Sequence, residues 1–313
     1  MTYKEWCEIA PRTESQKSAY RKKIVKQNIV GTSMVILPFL GFLCFTLFPM
    51  LLSLALAFSN LRSALISEAT FDAGLKNFIY VIKDEYTWKA MRTTLVYSLT
   101  TFLNVAIAVF LASVMNRHIY GKKFYFVLFF LPQVCSSVAV AMMWRWVFAE
   151  NGVINAFRLV GGKQAIDFFT DANYYMFAIF VMSVWKNGTN IVILLSAFSA
   201  INKSLQEAAR LDGADEMHVF WNVTFPQLTP TIFYLITMNL IAALQEQALF
   251  QLINTSATGP NFWGLTLTYQ MYRLMNVNLQ YGLSCAMSWF IGIFILIVTK
   301  INFALSEKWV SYD

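Results

Sequence analysis

Charged side chains are scarce in this chain of 313 residues. They make up 13% of it, where an ordinary globular domain carries about 25%. That shortfall argues against a soluble domain, which needs polar surface to face water. Histidine is scarcer still. The two present, His118 and His218, stand far apart, which excludes a paired-histidine zinc hydrolase motif. The four cysteines, Cys7, Cys44, Cys135 and Cys285, show no Cys-x-x-Cys spacing. A metal or disulfide role is not expected of them, and small apolar packing roles are. No Gly-x-x-x-x-Gly-Lys-Ser/Thr phosphate loop occurs. The nearest fragment, Gly161-Gly162-Lys163, lacks the spacing and the hydroxyl. The chain therefore has no evident means of hydrolysing ATP itself.

Apolar residues are what it has instead: 58% hydrophobic and 16% aromatic, with a mean hydropathy of +0.53. They gather in runs of about 20 residues, long enough to cross the ~30 Å hydrocarbon core as helices. Runs this apolar exclude barrel strands, and a bilayer otherwise admits only helices. The expected class is an all-α integral membrane protein with six transmembrane helices, near residues 29–58, 93–115, 124–148, 174–198, 231–253 and 283–304. Pro38 and Pro49 each remove a helical donor from the first and invite a tilt or break there. The leader, residues 1–28, is polar, and the run after it is too long for a signal peptide.

Lys and Arg set the orientation. The leader holds seven of them, Lys4, Arg12, Lys17, Arg21, Lys22, Lys23 and Lys26, and the loop after the second span holds Arg117, Lys122 and Lys123. The loop after the fifth span holds only Arg273. Both termini are expected in the cytoplasm. The first outer loop is a counter-signal, because residues 59–92 carry five basic residues; its four acids and its length weaken it. The domain expectation is a cytoplasmic tail at 1–28, a permease-like membrane domain at 29–304, and a cytoplasmic tail at 305–313. The net charge of +7 then reads as membrane orientation and contact with anionic lipid heads, not as nucleic-acid binding.

On this topology the connection between spans four and five, residues 201–230, lies inside the cell. Ser204-Leu-Gln-Glu207 has the form of a capping box. The helix it would open is expected to end at Asp212-Gly213, because glycine tolerates the left-handed conformation of helix ends. A second helix is expected from Ala214, with Asp215 and Glu216 in its first turn. Met217, Phe220, Trp221 and Thr224 recur at helical spacing as one largely apolar stripe. Pro226 and Pro230 return the chain to the membrane. Helices that lie on lipid usually carry Lys or Arg on the polar face. This pair carries Asp212, Asp215 and Glu216, which favours a protein partner.

The run Glu207-Ala208-Ala209, then Asp212-Gly213-Ala214, then Phe220, Val223, Pro226 and Pro230 resembles the signature loop of permease subunits in binding-protein-dependent ABC importers. In that family the loop is the coupling helix that docks in a cleft of the ATPase. The resemblance implies that role for Glu207, Ala208, Ala209, Asp212, Gly213, Phe220 and Pro226. Leu37-Pro38-Phe39, Phe48-Pro49, Gly74-Leu-Lys-Asn77-Phe78, Asn151-Gly152, Trp185-Lys186, the stretch from Tyr281 to Ser288 and the closing Lys308-Trp309-Val-Ser-Tyr312-Asp313 are similar to the carbohydrate branch of the family, of the maltose or glycerol-phosphate type. One departure is Ser256-Ala-Thr258-Gly259-Pro260, where the family often has Thr-x-Gly-Gly-Pro, so this outer turn is expected to differ in shape.

The resemblance implies a cell-membrane permease subunit, not an enzyme, that moves a carbohydrate, an oligosaccharide by expectation, by alternating access. It implies a second six-span permease, two ATPase subunits that bind the ATP and Mg, and an extracytoplasmic solute-binding protein. No cofactor is expected in this chain. The rival is a self-sufficient ion-coupled carrier or channel, which would need coupling carboxylates or inverted repeats around broken helices; the chain offers one intramembrane carboxylate and no clear repeat. An ionisable group inside a span costs about 2.5–3.5 kcal/mol on insertion scales, so each needs a reason. Arg145, between Trp144 and Trp146, reads as an interfacial anchor. Lys186 leans to a structural role. Gln245 and Glu246, with Asn187, Asn190 and Tyr269, are the candidates for a substrate path. Helix–helix hydrogen bonding is the competing role for the amides.

Overall fold

The computed structural model describes residues 13–117, 120–254, 256 and 258–310. Lys4, Cys7, Arg12, His118, Ala257, Tyr312 and Asp313 lie outside the described residues. All regular elements among the described residues are helical, as expected for the class. The chain divides into two units, residues 1–56 and 57–313.

The first unit is built on α1 (Glu14–Phe42), a π-helical turn (Leu43–Leu47) and α2 (Phe48–Ala57). The helix thus begins inside the stretch expected to be a polar tail. The most apolar window of 18 residues within Arg21–Ala57 has a mean hydropathy of 2.4 and is 0% buried within the chain. Pro38 sits inside α1 without ending it. The irregularity falls just before Pro49, where the Phe48 N–H reaches the Leu43 carbonyl five residues back. A proline ring collides with the carbonyl four residues before it, and the wider turn makes room.

The second unit contains α3 (Lys76–Lys83), α4 (Glu85–Ser98), α5 (Thr100–Asn116), α6 (Lys122–Val134), α7 (Ser137–Phe148), α8 (Val153–Val160), α9 (Ala172–Trp185) and α10 (Gly188–Ala200). It continues with α11 (Lys203–Leu211), α12 (Glu216–Val219), a second π-helical turn (Phe220–Thr224), α13 (Phe225–Leu244), α14 (Ala248–Ile253), α15 (Leu267–Asn276) and α16 (Tyr281–Ser306). Among the described residues, four continuous stretches are long and apolar enough to cross a membrane: Arg21–Ala57, Glu85–Asn116, Glu216–Leu244 and Tyr281–Ser306. Two further candidates are broken pairs. Lys122–Val134 and Ser137–Val160 meet at 103°, and Ala172–Trp185 and Gly188–Ala200 at 45°. Six crossings result if each pair counts as one.

The expected fifth span, 231–253, is shifted. Helix runs from Glu216 through Pro226 and Pro230 to Leu244 and stops, and Gln245, Glu246 and Gln247 separate it from the short α14. The two prolines therefore lie inside the rod instead of handing the chain back to it. The device seen before Pro49 recurs, since the Phe225 N–H reaches the Phe220 carbonyl just before Pro226.

Packing explains the arrangement of the long helices. Ala108 and Ala112 of α5 are fully buried one turn apart, and they face Ile191 and Leu194 of α10 and Leu228 and Leu235 of α13 in one apolar cluster. Small residues at this spacing let helix backbones approach closely. Gly188 does the same at the start of α10. A Cβ there would lie 2.6 Å from the Phe129 carbonyl oxygen of α6. A second cluster joins α15 and α16 to Val81 of α3 and Ala90 of α4. A third collects Phe148, Tyr175, Ile179 and Phe250 around α7, α9 and α14.

Candidate functional site

Two places in the second unit combine exposed or polar chemistry with fixed backbone. The first is the turn between α11 and α12. Asn202, not Ser204, caps α11, since its side chain accepts the Ser204 N–H at 3.0 Å and the Ser204 hydroxyl at 2.9 Å. The expected capping box is therefore replaced by an Asn cap two residues earlier. The end of α11 follows the expectation in detail. The Gly213 N–H reaches the Arg210 carbonyl, the Ala214 N–H reaches the Ala209 carbonyl, and Gly213 takes φ +87°. This is the Schellman arrangement, which satisfies carbonyls that a helix end leaves free.

Asp215, expected inside the first turn of a helix starting at Ala214, is instead the cap of α12, and it accepts the His218 N–H at 2.7 Å. That backbone donor first, and the His218 ring second, hold the Asp215 carboxyl below the usual carboxylate range. Arg210 and Glu216 join the two helices through a 2.9 Å ion pair. The expected apolar stripe divides. Thr224 is buried and Phe220 half-buried, while Met217 and Trp221 stay exposed. Leu211 is 89% exposed at the tip, with Glu207, Ala208, Asp212 and Gly213 exposed beside it and Ala209 half-buried. Pro226 is half-buried in the first turn of α13. An apolar tip ringed by acids, with its caps already satisfied, is a rigid projection.

The second place is a cavity of about 180 Å³ where four helix irregularities meet. The continuous stretch Glu85–Asn116 is distorted at Leu99, and Tyr97, Thr100, Thr101 and Asn104 line the cavity there. Ser137 comes from the break after α6, Lys186 from the break after α9, and Glu246 from the break after α13. Asn239 and Ser183 complete the polar lining. Lys186 Nζ donates to Ser137 Oγ at 3.1 Å. Glu246 accepts the Leu249 N–H at 3.0 Å through its carboxylate and the Thr266 hydroxyl at 2.8 Å through its carbonyl. Each charge stands in a break between two helices, Lys186 between the C-terminus of α9 and the N-terminus of α10 and Glu246 between the C-terminus of α13 and the N-terminus of α14, so the two helix dipoles at each break act on it in opposite senses. No ion pair joins Lys186 to Glu246 among the described residues.

A ladder of amides backs the wall. Asn187 donates to the Asn104 carbonyl at 2.7 Å, Asn190 donates to the Asn187 side chain at 2.7 Å, and Asn239 donates to Asn190 Oδ1 at 2.9 Å. Asn104 Nδ2 donates to Ser183 Oγ at 2.9 Å, while its Oδ1 is buried with no partner among the described residues. Of the five sequence candidates for a substrate path, Glu246 lines the cavity and Gln245 is exposed beside it. Asn187 and Asn190 are buried in the amide ladder. Tyr269 is elsewhere, buried in the α15–α16 cluster and stacked on Tyr272. Sequence reasoning passed over Asn104, Asn239, Ser137 and Ser183 and gave Lys186 a structural role. Asn104 and Asn239 were detectable as lone amides inside apolar runs, which a bilayer tolerates poorly without a partner.

Residues 104–310 match the family described as the binding-protein-dependent transport system inner membrane component. The chain is 34% identical over 298 residues to the probable ABC transporter permease protein YesP of Bacillus subtilis (strain 168), covering 93% of this chain and 95% of that protein. It is 30% identical to the sn-glycerol-3-phosphate transport system permease protein UgpA of Agrobacterium fabrum (strain C58 / ATCC 33970), covering 83% and 89%. The fold matches a chain of a bacterial ABC transporter involved in the import of the acidic polysaccharide alginate, with TM-score 0.80 and 22% identity over 92% of this chain and 99% of that one. The chain belongs to the family of binding-protein-dependent transport system inner membrane components, and it is a multi-pass permease subunit of an ABC importer.

Proposed function

We propose that this permease carries a saccharide, an oligosaccharide by preference, through the cavity between Lys186 and Glu246, and that the α11–α12 turn couples its motion to an ATPase. The cavity carries this reading. Its hydroxyls, amides, one ammonium and one carboxylate converge from four helices, and such planar and charged groups suit the vicinal hydroxyls of a sugar. A polyhydroxylated cargo is supported by its likeness to an sn-glycerol-3-phosphate transport system permease and to a chain from an importer of an acidic polysaccharide.

The assembly has this chain beside a second permease, two ATPase subunits holding ATP and Mg, and an extracytoplasmic solute-binding protein. Both tails, 1–28 and 305–313, lie in the cytoplasm with the turn at Gly213, and residues 29–304 form the membrane domain. ATP-driven closure of the ATPase pair moves the projection formed by Glu207, Ala208, Ala209, Asp212 and Gly213. Phe220 and Pro226 anchor it to α13, and α13 passes the movement to the break at Gln245 and Glu246. The cavity then opens to alternate sides. Tyr269 lies outside this path in the reading adopted here, and Asn187 and Asn190 serve it by holding Asn104 and Asn239.

The test is sugar uptake and ATP turnover by the purified complex in proteoliposomes, with Gly213→Asp beside the natural chain. Loss of uptake with continued ATP turnover is expected. Full uptake by an assembled Gly213→Asp complex, or purification of the chain alone in transport-competent form, would sink the coupling reading in favour of a carrier that works by itself.

A further inference from the structure

A second groove, of about 280 Å³, lies between the segment after Ala57, helix α3 and the start of α16. Its backbone is fixed. Asn77 Nδ2 donates to the carbonyls of Ala57 and Ser59, each at 2.8 Å. The Gly282 N–H reaches the Leu61 carbonyl at 3.1 Å, and the Asn60 N–H reaches the Thr70 carbonyl at 2.8 Å. Arg62, Lys76, Tyr80, Asp72 and Gln280 line the space. Asp72 is engaged by the Thr70 hydroxyl at 2.9 Å. Arg62 and Lys76 are exposed and form no ion pair among the described residues. The groove therefore carries one more cation than it has carboxylates.

Its depth relative to a bilayer follows from the elements around it. Tyr281, the first residue of the spanning helix α16, adjoins the groove through Gln280. Helix α3 packs Phe78 and Val81 into the α16 cluster. Its exposed side is divided between Ile79 and Ile82 on one flank and Lys76 and Lys83 on the other. A short helix with an apolar flank and a cationic rim, at the end of a span, fits the water–lipid boundary. Tyr80, 54% exposed, is of the type enriched there.

We propose that this groove binds the phosphate headgroup of an anionic phospholipid. Arg62 and Lys76 pair with the phosphate oxygens, and the Tyr80 hydroxyl and Gln280 amide donate to the remaining acceptors. Charge-assisted contacts of this kind are the strong ones, and on the proposed orientation, with residues 59–92 outside, the headgroup belongs to the outer leaflet. The site depends on membrane insertion alone, and neither the cargo nor the ATPase enters it.

Native mass spectrometry of the full-length protein, in the complex in which it purifies, reads the bound lipid directly when phosphatidylglycerol or phosphatidylcholine is titrated in. Selective retention of phosphatidylglycerol is expected. Arg62→Gln should lower it about fivefold and Arg62→Gln with Lys76→Gln roughly twentyfold, at about one fivefold step per cation. Arg62→Lys with Lys76→Arg should preserve it. Circular dichroism and the elution profile report folding, and Lys76→Gln alone, on an exposed face, serves if the double variant does not fold. Equal retention of the two lipids by the natural chain, or unchanged phosphatidylglycerol retention by a folded Gln variant, overturns the proposal. Unchanged lipid with loss of a co-purifying extracytoplasmic protein also overturns it, and would assign the groove to a protein carboxylate.

Discussion

The turn at Asp212–Gly213 and the breaks around the cavity both interrupt helices, by different means. At the turn, each freed backbone group finds a partner within a few residues: Arg210 and Ala209 through their carbonyls, and His218 N–H through Asp215. Around the cavity the partners are far away in sequence. The Asn104 carbonyl is met by Asn187 and the Glu246 carbonyl by Thr266, 83 and 20 residues away. The turn is thus a self-sufficient unit that can sit exposed. The cavity wall is satisfied only when several helices are already assembled, since nothing else in a bilayer answers a free backbone group.

The contrast predicts which region tolerates damage. The largest effect should come from Gly188→Ala. Its Cβ would meet the backbone of α6, and overpacking of this kind costs up to about 3 kcal/mol. Assembly itself should fail, read as loss of monodisperse protein on gel filtration. Next comes Gly213→Val. A β-branched residue at positive φ is a genuine outlier, and left-handed backbone costs about 1–2 kcal/mol. Here the spans should stay intact by thermal melting and ATP turnover should continue while sugar uptake is lost. Equal loss of folding in both variants would erase the distinction between the two regions.

Smaller effects refine it. Glu246→Gln should weaken cargo uptake by about tenfold, as for a lost charge-assisted hydrogen bond, with ATP turnover retained. Asn202→Ala should cost about 1 kcal/mol as a lost helix cap, whereas Ser204→Ala should cost less; hydrogen exchange across α11 separates them. Arg210→Ala should be the mildest, within the ~0–1 kcal/mol of an exposed ion pair, and should vanish in high salt. The Asp215 cap has its own pH signature. Its carboxyl is depressed in the folded chain, so the cap is present at neutral pH and is lost only as pH falls through the depressed value.

How much of this was legible in the sequence divides along the same line. Apolar run length gave the all-helical class, because a bilayer leaves few alternatives. The end of α11 was legible because Gly213 states its own conformation. Ser204 misled, because Asn202 offers an equivalent acceptor two residues earlier and local patterns do not rank rival caps. The cavity was only partly legible. Glu246 stood out as a carboxylate in an apolar setting. The breaks at Cys135–Ser136 and Lys186–Asn187 carry neither glycine nor proline within them, and the distortion at Leu99 carries none either. At Leu99 the flanking hydroxyls bond locally, Ser98 to the Leu95 carbonyl and Thr100 to the Tyr97 carbonyl, whereas Lys186 and Asn187 bond to Ser137 and Asn104, 49 and 83 residues away, which no local window contains. Tyr269 is an aromatic near a polar run in the sequence, and its ring folds into a different core, which no local pattern states.

Of the two Phe-Pro steps, Phe48-Pro49 stands where the sequence invites a tilt or break, and Phe225-Pro226 where it returns the chain to the membrane. The second instead sits in a stretch that stays helical from Glu216 to Leu244, about 43 Å at 1.5 Å per residue. In the proposed mechanism that stretch would act as a push-rod, driven from the turn. One end is capped by Asp215 at the exposed turn, and the other stops at Gln245, beside the cavity carboxylate. Its one departure from α geometry is the π turn at Phe220–Thr224, close to the driven end. Flexure there would change the angle of the turn, while the remaining length of α13 would carry displacement to the cavity without a joint.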